Sequence, residues 1–155
     1  MFKKILVTLD GSRLSAKAIP FAIGIAEKFK AEIILLQVVK QTPPVPLVEP
    51  AGIVNPVATQ TIIEAAQIQN TLRLKEAERY LRRQAKKFTA RNIPASHAVI
   101  IGNPVETIIK YLHKQHIDLV VMTTHGRSGL KRAIIGSVAD AVVRSAGAPV
   151  LVVRI

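Results

Sequence analysis

The chain has no cysteine among its 155 residues, which excludes disulfides, thiolate metal sites, cysteine nucleophiles and iron–sulfur clusters together. A reducing cytoplasm is the compartment this predicts. Tryptophan is also missing and aromatics make up only 4%, so the core must be built from Ile, Val, Leu and Ala. No apolar run approaches the roughly 18 residues that span a bilayer, and Asp10 interrupts the run that starts at Ile5 too early for a signal-peptide core. Acidic residues are scarce, 10 against 22 Lys plus Arg, leaving a formal charge of +12 and a pI near 10.5. What is abundant is apolar: 49% hydrophobic residues and a mean hydropathy of +0.30 exclude a disordered or collagen-like chain. The length suits one domain over residues 1–155.

Ile5 to Leu9 reads as a strand closed by the turn Asp10-Gly11-Ser12. Ser12 is placed to cap a helix to about Lys30, with Leu14, Ala18, Phe21, Ala22 and Ile25 as its apolar face and a kink predicted at Pro20. Glu32 to Val39 is apolar without alternation, as a strand buried on both faces requires. Five prolines then mark residues 41–60 as a long surface loop. A helix is predicted from about Ile62 to Arg91, packing through Leu74, Ala77, Leu81, Ala85 and Phe88. Ala95 to Ile101 forms a third strand. Asn103-Pro104 opens a helix to about Gln115. Asp118 to Thr123 is the fourth strand, Gly136-Ser137 starts a helix to about Ser145, and Val150 to Arg154 is the last strand. The order describes an α/β domain, a three-layer arrangement with a five-stranded, mostly parallel sheet between helices.

The strongest chemical signal lies between the fourth strand and the last helix: Gly126, nine residues, then Gly136-Ser137. Glycines let backbone approach a ligand, and a helix start offers unpaired amides beside the Ser137 hydroxyl, a combination suited to phosphate. Arg127, Lys131 and Arg132 could neutralise its charge, Arg127 with bidentate geometry. The plainer alternative is that Gly126 and Gly129 serve turns, Ser137 caps a helix, and the cations are solvated. Asp10 likewise either reaches a ligand or bonds nearby amides. His125 could touch phosphate or fill a turn. His113 and His116 share a predicted helix without a third ligand in sight, and solvent exposure fits them better. The P-loop pattern and GxGxxG are both absent, as is a GxSxG elbow.

These residues resemble the universal stress protein family. Its motif of Gly, two residues, Gly, nine residues, Gly and Ser or Thr falls on Thr123, Gly126, Gly136 and Ser137, with Thr123 in place of the first glycine. The opening Lys4 to Ser12, the run Thr124-His125-Gly126-Arg127-Ser128-Gly129 and the closing Ala148 to Val153 extend the similarity to both ends. The resemblance implies strand order 3-2-1-4-5, an adenine nucleotide alpha-hydrolase-like fold, and in one branch ATP (or AMP) held between strands 1 and 4 with Mg2+ or Mn2+. It would place Asp10 and Val38 at the adenosine end, Gly126 and Gly129 along ribose and phosphates, and Gly136 and Ser137 at the terminal phosphates. Thr123, His125, Arg127 and Val138 complete the cofactor-binding set by position. It further implies a homodimer, and an unpaired apolar edge at 150–154 suggests the same. No general base is identifiable, so the reading is a nucleotide-responsive stress regulator rather than an enzyme, with at most slow ATP hydrolysis.

Two other readings stay open. One is an interaction protein without nucleotide. The other is a polyanion binder acting through the helix from Arg73 to Arg91, where eight cations face Glu76 and Glu78 for a net +6. Specific nucleic-acid recognition is disfavoured by the lack of stacking aromatics, and charge runs on helices are commonly solvated faces.

Overall fold

In the computed structural model, residues 1–41, 43–44, 55–124 and 135–155 are described. Five strands, β1 (Lys4–Leu9), β2 (Glu32–Val39), β3 (Ala95–Ile101), β4 (Leu119–Thr123) and β5 (Val150–Val153), form one sheet in the order β3-β2-β1-β4-β5. Every pairing is parallel, so the sheet is wholly rather than mostly so. Each strand pair therefore needs a crossover, and four helices supply it: α1 (Ile19–Phe29), α2 (Pro56–Thr89), α3 (Pro104–Gln115) and α4 (Ser137–Ser145).

Alternation along the central strands divides the core into two layers. Ile5, Val7 and Leu9 of β1, with Ile33 and Leu35 of β2, face Ala22 and Ala26 of α1 and Leu81 and Phe88 of α2. Leu6, Leu36, Val120 and Met122 point the other way, onto Ile108 and Leu112 of α3 and Val142 of α4. All five residues of β4 are buried, which is why this strand reads as an unbroken apolar run.

Several local expectations change. Ser12 does not cap α1: its Oγ accepts from the Ser15 amide at 3.0 Å within the turn that precedes the short 3-10 helix Ser15–Ala18, whose N-cap is Leu14, and the N-cap of α1 is Ala18. Pro20 falls in the first turn of α1, where its missing N–H costs nothing, so it starts a helix and kinks none. The buried face of this segment is Ala18, Ile19, Ala22 and Ala26, while Phe21 is 53% exposed. Residues up to 60, expected in the long loop, are helical from Pro56 onward. Asn55 accepts from the Ala58 amide at 3.1 Å and Pro56 takes the first helical position. The Asn-Pro pair that looked like a loop signal is thus a helix start, as it also is at Asn103-Pro104, where Asn103 accepts from the amides of Val105 and Glu106. Thr42 and residues 45–54 of the Pro-rich segment lie outside the described residues. Asp118 precedes β4 instead of belonging to it. Its carboxylate accepts the backbone amides of Lys3 and Lys4 at 2.8 and 2.9 Å and pins the start of β1.

Candidate nucleotide-binding crevice

The chain leaves β1 on one side of the sheet to reach β2, and leaves β4 on the other to reach β5. The strand order thus reverses between β1 and β4, and the crevice outside their carboxyl ends is the position where open α/β sheets take ligands. The pairing registers decide which residues line up there. Leu9 pairs with Gln37, and Val7 with Val121. Continuing each register past its last pair sets Val38, Asp10 and Thr124 in one row across three strand ends.

The β1 exit is tightly tied. Gly11 takes φ +84, a left-handed conformation that glycine allows without strain. Asp10 accepts from the Ser12 amide at 2.9 Å, and Ser15 Oγ both receives the Asp10 amide at 3.3 Å and donates to the Ser12 carbonyl at 3.1 Å. Tyr80 of α2 donates to the same carbonyl at 3.5 Å. Burial holds the Tyr80 hydroxyl above its ordinary range, so it remains a donor at neutral pH. Asp10 therefore does make the local amide bond that the plainer reading of the sequence foresaw. It also stands partly exposed at the crevice, and the two roles are compatible.

The β4 exit meets the start of α4. The Gly136 amide donates to the Thr124 carbonyl at 2.7 Å, and Thr124 itself donates to Val153 at 3.0 Å. Gly136, not Ser137, is the N-cap, and among the described residues no side chain is seen to cap this end. Ser137 occupies the first helical position with its side chain exposed. The first-turn amides of α4 are thereby carried to the crevice with a hydroxyl beside them, a partial positive charge suited to an anion. Val38 and Val138 are both half-buried against the same apolar cluster on the α3 and α4 side.

Thr123 is 7% exposed, and alternation aligns it with Leu119 and Val121, whose side chains enter the opposite layer. Its bulk goes into the protein, a placement the sequence left undecided. His125, Gly126, Arg127 and Gly129, with Lys131 and Arg132, lie outside the described residues. His113 and His116 are both exposed, and among the described residues no three His, Asp or Glu converge on a point.

A model of the universal stress protein family matches residues 1–154. This chain belongs to the universal stress protein family. Among its relatives, universal stress protein MJ0531 of Methanocaldococcus jannaschii is 33% identical over 99% of this chain and 83% of its own length. Universal stress protein YxiE of Bacillus subtilis is 32% identical over 99% and 100%. The solved structure of MJ0577 superposes with a TM-score of 0.81 at 24% identity, covering 100% of this chain and 97% of that one. Two further members carry nucleotides in their solved structures. One is a universal stress protein in complex with cAMP (TM-score 0.59, 21% identity, 99% and 97% covered). The other is an Arabidopsis thaliana family member with AMP bound (TM-score 0.60, 16% identity, 98% and 91% covered). At these identities they speak for the fold. Sequence reasoning missed Thr124 and Tyr80 here: neither residue type is a signal, and only the strand register and the packing of α2 bring them to the crevice.

Proposed function

We propose that this universal stress protein binds an adenine nucleotide, ATP or AMP, at the carboxyl ends of β1 and β4, and responds to it as a regulator instead of turning it over. The observation that carries the reading is the bond from the Gly136 amide to the Thr124 carbonyl, 2.7 Å, which fixes the N-terminus of α4 at the carboxyl end of β4. Asp10 and Val38 would hold the adenosine end, and the amides of Ser137 and Val138 with the Ser137 hydroxyl would receive phosphate. Gly126 and Gly129 would run along ribose and phosphates, and His125 and Arg127 would lie beside them, as the family motif has it. Thr123, buried on the far side of β4, leaves the crevice to backbone and so is compatible with a ligand. A divalent cation bound with a triphosphate would take most of its ligands from phosphate oxygens and water, since no acidic cluster among the described residues offers a complete set.

The same reading makes the protein a cytoplasmic homodimer paired through β5, whose Val150, Leu151 and Val152 are only half-buried in the protomer. Mass spectrometry of the small molecules released on denaturation, followed by titration of the stripped protein with ATP and AMP, tests the proposal. Bound ATP, or micromolar binding lowered about tenfold in Ser137→Ala, is the expected result, the loss of one charge-assisted hydrogen bond. Neither a released nucleotide nor measurable binding would return the chain to the nucleotide-free reading.

A further inference from the structure

α2 is far longer than the sheet it covers. Its 34 residues include five buried ones, Ala77, Leu81, Gln84, Ala85 and Phe88, all in the C-terminal half. On the side away from this core runs a second row: Thr61, Ala65, Ile68, Leu72, Lys75, Arg79, Arg82 and Lys86. The steps are alternately four and three residues throughout, the spacing that keeps one seam facing a partner helix. Every member is exposed. Ile68 is 61% and Leu72 51% exposed, with Val57 at 76% one step before Thr61. At about 1.5 Å per residue the seam is roughly 38 Å long. Its first half is uncharged and apolar, its second half cationic.

Of the four cations in the row, Arg82 shares Glu78, while Lys75, Arg79 and Lys86 have no carboxylate partner within 4.0 Å among the described residues. Glu78 is already engaged by His97 at 2.6 Å and by Arg82 at 3.9 Å, and Arg91 is taken by Glu27 at 3.0 Å. Beside the row is a shallow groove lined by Leu74, Lys75, Glu78, Arg79 and Arg82, so aliphatic surface continues among the charges.

The layout selects the partner. A nucleic acid would satisfy the cations but leave Ile68 and Leu72 idle, and the row offers no aromatic for stacking. A bilayer takes helices whose apolar and basic residues separate around the axis, whereas here they separate along it. A second copy would set cations against cations if parallel and against the apolar half if antiparallel. We infer that the outward seam of α2 docks an acidic helical segment of another protein, apolar where it meets Ile68 and Leu72 and carboxylate-bearing where it meets Lys75, Arg79, Arg82 and Lys86. The contact is a helix laid along a helix, steered by the +12 charge of the whole chain.

Labelled helical peptides of about 28 residues, four heptads, test this by fluorescence anisotropy. Each carries Leu at the seam positions of one half and Glu at those of the other, in either chain direction. One direction should bind the full chain. Ile68→Glu with Leu72→Glu, and separately Arg79→Glu with Arg82→Glu, should each weaken it about tenfold or more. A peptide with Lys in place of Glu should regain binding to the second variant. Circular dichroism and melting temperature confirm that the variants fold, and ATP titration of the same proteins reads the crevice separately. Failure of both peptides to bind the unmodified chain overturns the inference. So does binding of a 20-nucleotide RNA or phosphatidylglycerol vesicles that depends on Arg79 and Arg82 while Ile68 and Leu72 can be changed freely.

Discussion

Asp118 shows how much one short side chain can organise. Its carboxylate holds two successive amides at the start of β1, and these hydrogen bonds, from Lys4 first and Lys3 second, keep its pKa below the ordinary 3.8. A group depressed in the folded state stabilises it when ionised. That contribution is complete above pH 3.8 and fades as pH falls through the lower folded value. Asp118→Asn should therefore cost about 0.5–1 kcal/mol at neutral pH, the low end because the site is open to solvent. In denaturant melts the gap to the parent should close in acid. A gap constant with pH would mean that charge has no part in it. Thr123 supports an opposite kind of prediction. Because its side chain is buried in the sheet, Thr123→Gly, which restores the family's first motif glycine, should lower the melting temperature by weakening β4 and leave nucleotide affinity unchanged. Tighter nucleotide binding in this variant would show that the threonine crowds the ligand.

Among the elements, α2 carries the clearest contrast. Phe88 is fully buried, so Phe88→Ala should cost about 3–5 kcal/mol, whereas Ile68→Ala on the exposed seam should stay within about 0.5 kcal/mol. Paired urea melts check both. The strands were readable almost to the residue, β2 and β3 with the bounds expected, because runs such as Ile33 to Leu36 have few alternatives in a two-sided sheet. The start of α2 was not, since proline is counted as a breaker unless its place in the first turn is recognised. The site divides in the same way. Asp10, Gly136 and Ser137 stand out as residue types at turns and helix starts. Thr124 has no such mark, and its place in the row with Asp10 and Val38 follows from the register between strands distant in sequence.

For the molecule as a whole, the sheet ends in β5, whose outer edge has no strand beside it among the described residues. If two copies pair there, Val152→Glu should convert dimer to monomer or aggregate in light scattering, and a dimer that survives the change would place the interface elsewhere. One bond described above reaches beyond any single ligand. Because the Gly136 amide meets the Thr124 carbonyl at 2.7 Å, the start of α4 is tied directly to the end of β4. A shift at the end of β4 is therefore carried into the first turn of α4 through backbone alone, without passing through any side chain.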